Sequence, residues 1–141
     1  MSTFNVPIEI LPKQILSCAS LSGYEYAWKP SDIPLVFEAA RQARVANLGG
    51  QLQFRLPSAT CELYWIETTA HERQETESWD DFVERSYAEC TTQFQQLIHE
   101  YDFVAEGIKS FPFLADLHTS GVALSDYVYF VVYFDSEEQY G

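Results

Sequence analysis

Hydrophobic positions recur along this chain with two periods, of two and of three to four residues, and the places where one gives way to the other mark its elements. Residues 8–11 and 15–21 are apolar stretches of unassigned type, separated by Pro12. Gly23 then opens YEYAWK, where Tyr24, Tyr26 and Trp28 alternate with Glu25 and Ala27 as a strand requires. Pro30 stops it. Ser31, Asp32 and Pro34 carry helix-start chemistry, and Ile33, Val36, Phe37, Ala40 and Ala43 share one face of a helix predicted to reach about Ala46. Asn47, Gly49 or Gly50 would close it in the left-handed conformation.

The alternation returns in QLQFRL and CELYWIET, joined by PSAT, and predicts a hairpin. AHERQETE is polar throughout and reads as an exposed loop. Ser78, with Asp81 three residues on, resembles a capping box at the start of a long helix reaching about Tyr101, whose core positions are Val83, Tyr87, Cys90, Phe94, Leu97, Ile98 and Tyr101. Residues 102–121 are ambiguous: a short helix, a break at Pro112 and a loop at LHTSG. YVYFVVYF, residues 127–134, is the last strand. The succession strand, helix, strand, strand, helix, strand predicts one α+β domain over residues 1–141, with an antiparallel sheet, two main helices on one face and the ferredoxin-like βαββαβ order.

With helices on one face only, each strand divides into a core set and an outer set. Val128, Phe130, Val132 and Phe134 suit the core, because a buried tyrosine needs a partner for its hydroxyl. Leu63 and Trp65 are expected to face in, with Glu62, Tyr64 and Ile66 out. Tyr127, Tyr129, Tyr133, Gln51, Gln53 and Arg55, with Tyr24, Tyr26 and Trp28, would then make an open face of Tyr, Trp, Gln and Glu.

Charge narrows what such a face could meet. The chain carries a formal charge of -13, and residues 1–61 hold 4 acids against 5 bases. Residues 62–106 hold 12 acids against Arg73 and Arg85 alone. A field of that sign repels phosphate backbones and anionic membranes and attracts cations, so neither nucleic acid nor membrane is an expected partner. No apolar run approaches the roughly 18 residues of a membrane span, and the first residues lack a basic start followed by an apolar stretch. Cys18, Cys61 and Cys90 are odd in number and unpaired in spacing, which suits reduced thiols and a cytoplasmic location.

Catalytic and metal motifs are weak. His71, Glu72, Glu75, Glu77, Asp80, Asp81 and Glu84 crowd one stretch, but without HExxH or EF-hand spacing they read as a solvated loop and acidic helix start. Gly49 and Gly50 lack the Lys and Ser/Thr of a phosphate loop. No cofactor is implied. A small hydrolase or small-ligand binder would use a pocket near residues 111–121, with His118 or Cys61 as the group to test and Asp116 and Ser120 beside it.

An acidic surface with aromatic anchors suits a binder of basic proteins: carboxylates speed encounter, and aromatics supply buried contacts. GYEYAW, the helix after it, LGGQLQF, CELYW and ESWDDFVERSYAE, within residues 23–89, resemble the small acidic immunity proteins of bacterial toxin systems. That resemblance implies a non-enzymatic inhibitor that covers a toxin's basic active site. The partner-binding candidates are Glu62, Tyr64, Glu72, Glu75, Asp80 and Asp81, with Tyr127 and Tyr129 on the tyrosine face. A homodimer through that face is the remaining expectation.

Overall fold

The structure, a computed structural model, describes residues 11–140, so positions 8–10 of the first apolar stretch lie outside the described residues. Five strands form one antiparallel sheet: β1 (Ser20–Ser22), β2 (Glu25–Trp28), β3 (Ala46–Arg55), β4 (Thr60–Thr69) and β5 (Val128–Asp135). The helices are α1 (Lys13–Ser17), α2 (Ile33–Gln42), α3 (Trp79–Glu100), α4 (Phe103–Ser110), α5 (Pro112–Thr119) and α6 (Glu137–Tyr140). This is the expected α+β class with an antiparallel sheet.

The strand order is β1-β2-β5-β3-β4, which is not the ferredoxin-like order. β5 enters between β2 and β3 and pairs antiparallel with both, so those two strands run parallel without touching. Composition explains why β5 takes the middle: Val128, Phe130, Val132 and Phe134 are buried on one face and Val131 on the other. A strand buried on both sides must lie inside the sheet.

The core forms where the helices meet the Phe130 face. Phe94 of α3 packs edge-on against Phe130 at 5.0 Å between ring centroids, and Phe37 of α2 meets Phe94 at 6.0 Å. Each such ring contributes about 2 kcal/mol or more by leaving water. The Phe54 ring lies against Gly107 of α4, and Leu114 of α5 sits beside it.

Local signals set several boundaries. Ser78 caps α3 by accepting a hydrogen bond from the Asp81 amide at 3.0 Å, as expected. Leu56 and Ala59 exchange amide–carbonyl hydrogen bonds of 2.9 and 3.4 Å around Pro57 and Ser58, closing the predicted hairpin. Pro112 does more than break a helix. It opens α5, where its missing N–H costs nothing.

Three expectations need correction. α2 ends at Gln42, and Arg44, at φ 64°, takes the left-handed position: Val45 donates to the Ala40 carbonyl and Arg44 to that of Arg41. Gly49 and Gly50 instead lie within β3, where a side chain on Gly50 would overlap the Val131 carbonyl. Trp28 faces the core, because its register opposite Phe130 puts it on the helix side, and α1 supplies an acceptor for its indole N–H at the Ile15 carbonyl, 2.8 Å away. In α3 the buried set is Trp79, Phe82, Val83, Ser86, Cys90 and Phe94, while Ile98 is 50% exposed.

Candidate interaction surface

β4 pairs with β3 from Thr60 opposite Arg55 to Leu63 opposite Leu52, and the next pair is Glu67 opposite Gln51. Residues 64–66 therefore have no counterpart on β3. An odd insertion of three inverts the alternation beyond it. Cys61 and Leu63 face the core, then Ile66 and Thr68, while Tyr64 is 63% and Trp65 46% exposed. The expectation of Trp65 inside and Ile66 outside is overturned by this bulge, since a strict period of two cannot contain it.

Both aromatics sit on the last strand of the sheet, among carboxylates. Trp65 donates its indole N–H to Glu106 of α4 at 3.2 Å, and Glu62 accepts from the Gln51 amide at 2.9 Å. Glu67 is exposed just beyond the bulge. The hydrogen-bond donor to Glu62 is neutral, and Arg55 is the cation within its field. Of the sequence candidates, Glu62 and Tyr64 belong to this surface.

Glu72, Glu75, Asp80 and Asp81 gather elsewhere, beyond the far end of β4 and roughly 20 Å from Glu62 at about 3.3 Å of strand per residue. There arginines pair with several of the acids. Arg85 binds Glu77 through two nitrogens at 2.7 and 2.8 Å, reaches Glu89 at 3.1 Å and donates to the Glu72 carbonyl at 3.0 Å. The Arg85 hydrogen bonds hold the Glu77 carboxyl down to about 2. Asp80 is ion-paired with Arg44, and Glu84 with Arg41 at 3.2 Å. Glu75 and Asp81 remain exposed.

The outer sheet face is not the open tyrosine platform expected. Glu25 accepts from the Tyr133 hydroxyl at 2.7 Å and weakly from the Gln53 amide at 3.4 Å, while Arg55 donates to Gln53 and to the Ser20 and Glu25 carbonyls. Burial, with the Glu25 charge, pushes the Tyr133 phenol up. Tyr129 lies under the Lys29 ammonium, 4.9 Å from ring centroid to nitrogen. Tyr127 is separate from both. It lines a cleft of about 230 Å³ with Leu56, Pro57, Ser58, Leu117 and Val122.

The groups considered for catalysis do not converge. Cys61 is buried, which raises its thiol, and burial pushes Cys90 up to about 12. His118 is exposed on α5 and does not line the cleft, and the Ser120 hydroxyl is turned back to the Leu117 carbonyl at 2.9 Å. Among the described residues, no three His, Cys, Asp or Glu side chains come together as a metal would need. No helix there is long and apolar enough to cross a membrane.

Two residues that matter here escaped sequence reasoning. Arg85 stands four residues before Glu89, a spacing at which a helical ion pair forms, so its role had a local signal. Gln93 had none. Its amide bridges the Thr69 N–H at 2.7 Å and the Thr69 carbonyl at 2.9 Å across the sheet edge. Comparison with known protein families, curated proteins and solved structures finds no match to this chain. The surface itself therefore carries the functional reading.

Proposed function

We propose that this chain is a non-enzymatic module that docks a cationic protein through the Tyr64–Trp65 end of β4, as an immunity-type toxin inhibitor would. The observation that carries it is the three-residue bulge, which leaves two large aromatics exposed at a sheet edge with Glu62, Glu67 and Glu106 around them. Bulges re-aim side chains at sheet edges and next to functional sites. Tyr and Trp are the residues that anchor interfaces, and surrounding carboxylates select a basic partner and speed its arrival.

The test is a retention experiment with wild-type chain and a Tyr64→Ala, Trp65→Ala double variant as paired baits, eluted by a salt gradient. A basic protein held by the wild type, released by salt and lost with the double variant is expected. Equal retention by both baits, or none by either, would sink the proposal. A small ligand would find a 230 Å³ cleft beside Tyr127, below the range of about 300–1,000 Å³ that encloses a drug-sized ligand, or a shallow groove of about 370 Å³ along His71, Glu89 and Gln93.

A further inference from the structure

The edge of β4 is capped at its far end, at Thr69, and open next to the turn. Since Leu56 and Ala59 exchange both backbone hydrogen bonds, Phe54 with Cys61 and Leu52 with Leu63 are the next bonded pairs of the hairpin. Thr60 and Glu62 fall between them, so their N–H and C=O groups point away from β3. Beyond the bulge the same alternation makes Glu67 and Thr69 outward, and at Thr69 Gln93 satisfies both groups while Glu89 accepts from the His71 amide at 3.0 Å. Among the described residues, nothing plays the part of Gln93 at Thr60 and Glu62.

We infer that this open stretch receives a short extended segment of the cationic partner as a sixth strand, an inference that rests on the docking role proposed above. β4 contains no Lys and no Pro, two of the devices by which natural sheets guard an exposed edge. The bulge ends the available run at Leu63, which limits the added segment to about four residues. Glu62 decides the occupant. A second copy pairing antiparallel across this edge would bring one Glu62 opposite or diagonal to the other, and like charges so placed oppose pairing. A lysine or arginine there would complement it, with Tyr64 beside the incoming strand to cover the aliphatic part of the basic side chain. Main-chain hydrogen bonds then supply affinity and the alternate side chains supply selectivity.

The probe is a synthetic six-residue peptide alternating Lys and Val, with a Glu and Val peptide as its control, added to the full chain and followed by amide NMR at low and high salt. The Thr60 and Glu62 amides of the wild-type chain should shift and gain exchange protection with the Lys peptide alone. Thr60→Pro removes one outward donor while keeping every carboxylate and every hydrogen bond to β3. It should weaken binding several-fold to about tenfold, the worth of one hydrogen bond. Glu62→Gln should weaken it too and flatten the salt dependence. If the Lys peptide binds in a salt-sensitive way but leaves the Thr60 and Glu62 amides unchanged, strand addition is wrong and docking through Tyr64 and Trp65 stands. If the peptide fails to bind, or the Glu peptide binds as well, the inference is overturned, and the paired-bait experiment decides the docking role separately.

Discussion

The two ends of the β3–β4 hairpin have similar backbones and nearby acids, yet one end is finished and the other is not. At the Gly49–Gly50 end the chains approach so closely that side chains there would overlap the Thr68 and Val131 carbonyls, α3 lies alongside, and Gln93 covers the edge at Thr69. In the loop that follows Arg85 holds Glu77, and on α3 Arg44 pairs with Asp80 and Arg41 with Glu84, while Glu75 and Asp81 stay exposed. At the turn end, Glu62 and Glu106 are satisfied by the Gln51 amide and the Trp65 indole, with Lys109 4.0 Å from Glu106 as the nearby cation. Charge in a sequence becomes field only where its hydrogen-bond partners are neutral. Glu77, Asp80 and Glu84 are for that reason less available to a partner than Glu62 and Glu67 of β4.

The contrast can be broken most forcefully at the finished end. Gly50→Ala should cost about 3 kcal/mol, since the new methyl meets the Val131 carbonyl of β5, which is backbone and cannot swing aside, with the Phe130 ring close by. Urea unfolding measures it, and a loss below about 1 kcal/mol would mean that the close approach is not structurally required. Acid should act next. Glu77 is held to about 2 against an ordinary value of 4.5, a depressed carboxyl, so its contribution is full above 4.5 and disappears as pH falls towards 2. Exchange protection of the His71 amide, which Glu89 holds beside Arg85, should fall through that window, and Glu77→Gln should weaken the loop at neutral pH while removing part of the acid response.

A smaller effect should follow from unsealing the edge. Gln93→Ala removes two hydrogen bonds from Thr69 but leaves its amide free to meet water, so about 1 kcal/mol is expected, with faster exchange of the Thr69 amide. Unchanged exchange would show that Gln93 does not cover the edge. The least effect on stability should come from Tyr64→Ala with Trp65→Ala, within about 0.5 kcal/mol, because neither ring is in the core. Their loss should instead show in partner retention, and a large drop in stability would turn the two aromatics from anchors into packing.

What was legible in the sequence was local. The hairpin, the Ser78 cap and the α+β class follow from spacings within a few residues, and the structure has them. The strand order was not legible, because nothing near Val128 states which strands will receive it. The faces of β2 failed for a related reason: Trp28 is inside because an acceptor from Ile15, thirteen residues away, satisfies its indole. At the candidate surface, Glu62 and Tyr64 were named from the alternation, and Trp65 was misplaced by the first insertion that broke it. Glu72 and Asp80 were chosen for their charge, and the arginines that hold that region come from α2's end and α3.

β5 has one more consequence, for the order of events during synthesis. Among the described strands β5 is made last, so before it emerges β2 and β3 have no partner on the flanks that β5 will fill. Phe54, Leu52 and Trp28 then lack the Phe130 and Phe134 ribbon they are built to meet. Long-range pairing of this kind is slow and leaves apolar edges open while it waits. The core therefore cannot close until β5 has emerged from the ribosome, and stalled chains with a linker long enough to expose Asp135 should be sharply more protease-resistant than chains stalled before Val128 emerges.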